Sequence, residues 1–165
     1  IERLKDTPAA WQFIGHLQSN KAKHAVQLFD LIHSVDSLSL AAALDRQAEK
    51  IGKIQPVLIQ VNLSEELTKS GVAPKEAERT AKEIAGLKHL CVKGLMTMPP
   101  FFDNPEKARP FFRALREMRN RLAQEGVFSG AAGELSMGMS GDFEAAIAEG
   151  ATLVRIGTAI FGERP

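Results

Sequence analysis

The sequence predicts an α/β fold organised around a parallel β-sheet. Two observations carry that expectation and a third bounds it. Short apolar, β-branched segments alternate with amphipathic stretches along the whole chain, the pattern of βαβ units with right-handed crossovers. Val57-Leu58-Ile59-Gln60-Val61 is almost continuously apolar, as expected of a strand covered on both faces. The length of 165 residues suits one compact domain or a large piece of one.

Each element has its own local reason. Phe13-Ile14-Gly15 is the first short strand, and a polar helix follows over 18–29. Ile32-His33-Ser34-Val35 is the second strand. Leu40, Leu44, Ala48 and Ile51 recur at helical spacing behind Ser37, an N-cap residue type, and Gly52 can stop that helix. Val57 to Leu63 is the third strand. Pro74 suits the first turn of the helix that follows, and Gly86 ends it. Val92 to Met98 is the fourth strand. Asn104-Pro105-Glu106 opens a long helix in which Phe111, Leu115, Met118 and Leu122 line one face, with Pro110 near enough the start to be tolerated. Glu134 to Met139 and Leu153 to Phe161 are the last two strands, separated by an Ala-rich helix over 141–149. Two parallel architectures accommodate this order: an open doubly wound sheet, and a (β/α)8 barrel. Six strands suffice for the first; the second needs eight and typically about 200 residues or more.

Composition excludes several classes of function. Hydrophobic residues make up 44% and charged residues 25%, an ordinary globular balance. With 21 Lys+Arg against 20 Asp+Glu, the net charge of +1 offers no field for nucleic acid or an anionic membrane. The single Cys rules out a disulfide framework within the chain and fits a reducing cytoplasm. Cys91 reads as a small buried apolar residue, and His16, His24, His33 and His89 show no metal-ligand spacing. Met96, Met98, Met137 and Met139 flank strand ends and read as packing residues.

Two loops near the C-terminus point to chemistry. Leu135-Ser136-Met137-Gly138-Met139-Ser140-Gly141-Asp142 runs from a strand into a helix start carrying two hydroxyls. Free backbone N–H groups and hydroxyls at such a junction suit an anion. Helix capping by Ser140 and Asp142 is the competing reading. Arg155-Ile156-Gly157-Thr158 follows one strand later; Gly157 lets the backbone approach an anion closely, and Thr158 adds a hydroxyl. Late strands of β/α barrels place such turns against phosphate. Arg155 itself lies in an apolar strand and needs a partner, because a guanidinium does not shed its proton when desolvated. A carboxylate and a bound ligand are both open to it.

Four spaced motifs then agree in order: Phe13-Ile14-Gly15 followed by Leu17-Gln18 and Asn20-Lys21, then Leu95-Met96-Thr97-Met98-Pro99, then LSMGMS over 135–140, and RIGTAIFG over 155–162. Together they resemble the YggS/PROSC family of pyridoxal-phosphate homeostasis proteins over nearly the whole chain. Gln12 stands where the family usually has His.

The resemblance implies a (β/α)8 TIM-type barrel like the N-terminal barrel of alanine racemases. About six of its eight βα units fall within 1–165, as a single domain lacking its N-terminal units; the opening Ile1-Glu2-Arg3 has no Met. It implies pyridoxal 5′-phosphate (PLP) as cofactor. The phosphate would be held by Ser136 and the Gly157-Thr158 turn, with Ser140 a further contact, and Arg155 would face the pyridine nitrogen. The family's Schiff-base lysine is expected upstream of Ile1; Lys5, Lys21, Lys23 and Lys93 do not occupy a matching position. No metal is implied.

The resemblance further implies a cytoplasmic, non-enzymatic carrier, a monomer or weak oligomer, that buffers PLP or delivers it to apoenzymes. Two enzyme readings stand beside it: an alanine racemase, and another phosphate-binding barrel enzyme. Racemisation needs a base on each face of the substrate carbon. One of these is a Tyr in that enzyme class, and the sequence contains 0 Tyr.

Overall fold

Six parallel strands lie side by side in chain order: β1 (Gln12–Phe13), β2 (Leu31–Val35), β3 (Gln55–Gln60), β4 (Leu90–Met96), β5 (Glu134–Met139) and β6 (Leu153–Arg155). The computed structural model describes residues 8–64, 66, 69–130 and 132–162. Lys5 and the opening Ile1 lie outside them. The strand order never reverses, whereas a doubly wound sheet switches direction part-way across. Every crossover therefore advances the same way, and right-handed connections put the helices on one face. This is the wall of a β/α barrel rather than an open doubly wound sheet.

The helices are α1 (Ala22–Leu28), α2 (Leu38–Lys50), α3 (Pro74–Ala85), α4 (Arg109–Gln124), α5 (Phe143–Ala148) and α6 (Thr158–Phe161). Neighbours touch in sequence, α1 with α2, α2 with α3 and α4 with α5. Their caps follow from the residues. Ser37 Oγ accepts the Leu40 N–H at 3.3 Å to start α2, and Pro74 occupies the first turn of α3. Pro110 also falls in the first turn of α4, where no i−4 carbonyl is lost.

The core lies between sheet and helices. Leu40, Ala41, Leu44 and Ala48 of α2, Ala77, Ala81 and Ile84 of α3, and Phe112, Leu115, Met118 and Leu122 of α4 are buried against it. Each large side chain so buried contributes on the order of 2 kcal/mol. Glu149, only 4% exposed, ties α5 to α4. Arg113 Nη2 lies 3.0 Å from its Oε1 and Arg116 Nη1 lies 3.2 Å from its Oε2. No helix of the described residues is long and apolar enough to cross a membrane.

Four expectations shift. On α4, Phe112 rather than Phe111 joins Leu115, Met118 and Leu122 in the core. The last strand stops at Arg155, and Thr158–Phe161 is a helical turn, because Gly157 (φ −117°, ψ −85°) leaves the extended conformation. Cys91 is half-buried rather than enclosed, with Sγ 2.6 Å from Ser129 Oγ. Met96 and Met137 pack in the interior, whereas Met98 and Met139 stand exposed at the strand ends.

Candidate functional site

The site lies at the C-terminal ends of the strands, where β5 and β6 finish side by side. Ser136 pairs with Leu153 and Met139 with Arg155, so β5 carries one extra residue between those points. The bulge sits at Gly138, whose φ is +94°. A Cβ there would lie 2.6 Å from Ala146 Cβ, so only glycine lets α5 close onto β5. Beyond the bulge, Asp142 Oδ1 accepts the Met139 N–H at 2.6 Å and closes the turn.

That turn delivers Ser140 to the β6 loop. Ser140 Oγ accepts the Gly157 N–H at 3.1 Å and the Ala159 N–H at 3.4 Å. Its hydroxyl thus reaches across to the neighbouring strand instead of capping α5. Two backbone donors and a hydroxyl converge on one spot, with the exposed Thr158 between them in sequence. Ser140 Oγ holds both amides and keeps its own proton to donate, so an anionic oxygen there would receive that proton or take the amides in place of the serine. The two loops that looked anion-binding separately form one cradle.

Arg155 is the second half of the site. It is 8% exposed and has no carboxylate partner among the described residues. Its Nη1 donates to Ser136 Oγ at 2.7 Å and its Nη2 to the Thr97 carbonyl at 2.9 Å. Among the described residues its Nε is buried without a partner. Burial pulls the guanidinium down to about 10, partly offset by Asp142. It therefore stays protonated at neutral pH. A buried cation with a spare donor needs an acceptor, and a neutral pyridine nitrogen is one.

Behind Arg155 runs a polar chain drawn from several strands. Ser136 Oγ is also 2.9 Å from His33 Nδ1, and His33 Nε2 is 2.8 Å from Gln12 Oε1. Thr97 Oγ1 donates to the Val61 carbonyl at 2.9 Å, which holds the Thr97 backbone under the guanidinium. His33 is 2% exposed. Burial, and then the nearby Arg155 charge, pushes its pKa down to about 4, so it is neutral near pH 7.

Of the five expected residues, Ser140, Gly157 and Thr158 gather at the cradle and Arg155 lies beside it. Ser136 departs from expectation. Its side chain has no exposure and its hydroxyl is already shared by His33 and Arg155, so it supports Arg155 and is not free to meet a phosphate. Among the described residues, the lysines weighed from the sequence lie elsewhere. Lys21 and Lys23 are exposed on and beside α1, and Lys93 Nζ donates to the Ser129 carbonyl at 3.2 Å, on the N-terminal side of β4 and β5. His33, Gln12 and Thr97 were not foreseen as site residues. Gln12 and Thr97 lie in motifs that carry the family resemblance, whereas the only trace of His33 is polarity inside an apolar strand.

The family model described as "Alanine racemase, N-terminal domain" matches residues 3–165. The chain belongs to that family. Within it, the chain groups with the pyridoxal phosphate homeostasis (YggS/PROSC) proteins. It is 49% identical over 163 residues to the pyridoxal phosphate homeostasis protein of Aquifex aeolicus (strain VF5), covering 99% of this chain and 71% of that protein. Its structure resembles that of PipY from Synechococcus elongatus PCC7942 with PLP bound. That likeness has a TM-score of 0.87 at 38% identity and covers 98% of this chain and 74% of PipY. An alanine racemase of Clostridium difficile 630 shares the fold at TM-score 0.74 and 20% identity, over 99% of this chain and 42% of the racemase.

Proposed function

We propose that this member of the family binds PLP without turning over a substrate, as a carrier in cofactor homeostasis. The observation that carries this reading is Arg155: a buried, carboxylate-free guanidinium with an unpartnered Nε, one loop away from the Ser140–Gly157 cradle. Ser140, the Gly157 and Ala159 amides and Thr158 would hold the phosphate. Arg155 would face the ring nitrogen, and Ser136 would hold Arg155. This assignment moves Ser136 away from the phosphate and makes Ser140, expected as a further contact, the principal serine there.

When bound, PLP supplies an electrophilic carbonyl and a ring that withdraws electrons best when its nitrogen is protonated. Arg155 would keep its own proton and donate a hydrogen bond, which would leave the facing nitrogen unprotonated. The environment made by this chain thus suits a carrier, or a racemase relying on well-placed bases, better than a reaction that needs a strong electron sink. The names of the relatives agree with this reading, and so does the PLP in PipY.

In the same proposal, the sequential strand order belongs to one (β/α)8 barrel domain, and the protein works in the cytoplasm. Apoenzymes that use PLP are the recipients.

Titration of the intact protein with PLP, followed by the cofactor's absorbance, tests the function. A saturable, stoichiometric change that inorganic phosphate reverses only weakly is expected. Equal competition by phosphate and sugar phosphates would replace PLP with another phosphate ester. Interconversion of D- and L-alanine by the loaded protein would overturn the carrier role.

A further inference from the structure

His33 sits one residue away from anything a ligand could touch, yet it is the junction of the polar chain. Its two ring nitrogens are both engaged, and the direction of each bond follows from the Gln12 amide oxygen being turned to the ring. Gln12 presents Oε1 at 2.8 Å, and an amide oxygen only accepts. Nε2 therefore carries the ring proton. The ring is neutral, so Nδ1 is bare and accepts. The Ser136 hydroxyl must then donate to Nδ1 at 2.9 Å, which turns the Ser136 lone pairs toward Arg155. Arg155 Nη1 donates into them at 2.7 Å.

The hydrogen-bond directions run one way: Arg155 to Ser136, Ser136 to His33, and His33 to Gln12. They join β6, β5, β2 and β1, with His33 and Ser136 103 positions apart in sequence. An apolar side chain at His33 breaks this chain of bonds. A leucine at His33 leaves the serine proton without a buried acceptor. The serine then rotates to find another, and its lone pairs turn away from the guanidinium.

We propose that His33, oriented by Gln12, is a positioning residue: it fixes the Ser136 hydroxyl so that the Arg155 guanidinium is held in one pose toward the bound ring. The inference rests on the PLP reading of the site only for what Arg155 faces. The ordering of Arg155 stands or falls by itself.

The test uses the intact protein with labelled histidine and arginine, and heteronuclear NMR with and without PLP. His33 should show the Nε2–H tautomer. Arg155 should give separate, slowly exchanging guanidinium signals. His33→Leu should merge those signals and weaken PLP about tenfold, the loss of one hydrogen bond to a charged group. His33→Asn, whose Oδ1 stands near the place of Nδ1, should restore both. Should the leucine variant fail to fold, Ser136→Ala breaks the same chain one bond later and is read the same way.

An Nδ1–H tautomer, unchanged Arg155 signals in His33→Leu, or a well-folded His33→Asn no better than His33→Leu would each overturn the inference. If the wild-type protein takes up no PLP, the functional reading falls, while the ligand-free Arg155 signals still decide the role of His33.

Discussion

Ser140 Oγ accepts the backbone N–H of Gly157 at 3.1 Å, joining two loops 17 residues apart. Each loop alone is ambiguous: one could be a helix start, the other a tight turn. Their contact makes a single donor cluster, because the serine that should cap α5 points across the strand ends instead. Ser140→Ala removes the hydroxyl but keeps the backbone donors. Its affinity for PLP should fall about tenfold, the value of one hydrogen bond to an ionised oxygen. Its affinity for pyridoxal, which lacks the phosphate, should barely change. Parallel titrations with the two ligands separate this from general damage; an equal loss for both would remove Ser140 from the phosphate site.

Arg155 offers the complementary experiment. Arg155→Met keeps length and apolar stem while deleting the donors to Ser136 and Thr97. PLP and pyridoxal should both weaken, because the lost contact is to the ring they share. Removing this buried charge relieves its desolvation cost, which offsets the loss of a donor at the Ser136 hydroxyl and the Thr97 carbonyl. The melting temperature should therefore move by only a few degrees. Arg155→Lys should not rescue binding, since one ammonium cannot reproduce the planar fork. Differential scanning calorimetry and ligand titration together give both readings, and a lysine variant that binds like wild type would refute the role.

Much of this fold was legible because local rules and packing agree. Ser37 caps α2, Pro74 starts α3 and the apolar run of β3 is buried, all as their residue types suggest. The end of β6 was not legible: Ile156 to Phe161 is apolar enough for a strand, and only the Gly157 conformation bends it into a turn. The choice between Ser136 and Ser140 was equally hidden. Four residues apart in one motif, they differ because the bulge at Gly138 falls between them, leaving one enclosed and aiming the other across the loop. His33 was read as bland because its partners come from distant strands. No spacing rule relates residues 103 apart in sequence.

His33 also makes the fold sensitive to acid. Its pKa falls from 6.5 unfolded to about 4 folded, through burial first and the Arg155 charge second. The remaining groups on the ring, Ser136 and Gln12, are neutral. Above about pH 6.5 both states hold a neutral ring and this group adds no slope. Between that value and about 4 the unfolded chain binds the extra proton, so stability is lost as pH falls. The full gap corresponds to about 3 kcal/mol. Thermal melts across this window should drop steeply in the wild type and less steeply in His33→Asn; parallel slopes would show that other groups govern the acid limit.

Gly138 links stability to binding. Its φ of +94° is a backbone region that L side chains rarely adopt, and Ala146 stands where a Cβ would go. Gly138→Ala should therefore cost about 1–3 kcal/mol, through strain plus displacement of α5. The damage should extend beyond stability. Ser140 follows the bulge by two residues, so a straightened β5 withdraws its hydroxyl from the Gly157 amide. PLP affinity should fall in this variant even well below its melting temperature, while Gly130→Ala, at an exposed loop position where a Cβ meets nothing within 4 Å, should leave binding intact despite its own φ of +124°. If Gly138→Ala loses stability yet binds PLP as tightly as the wild type, the bulge shapes the packing of α5 and not the placement of Ser140.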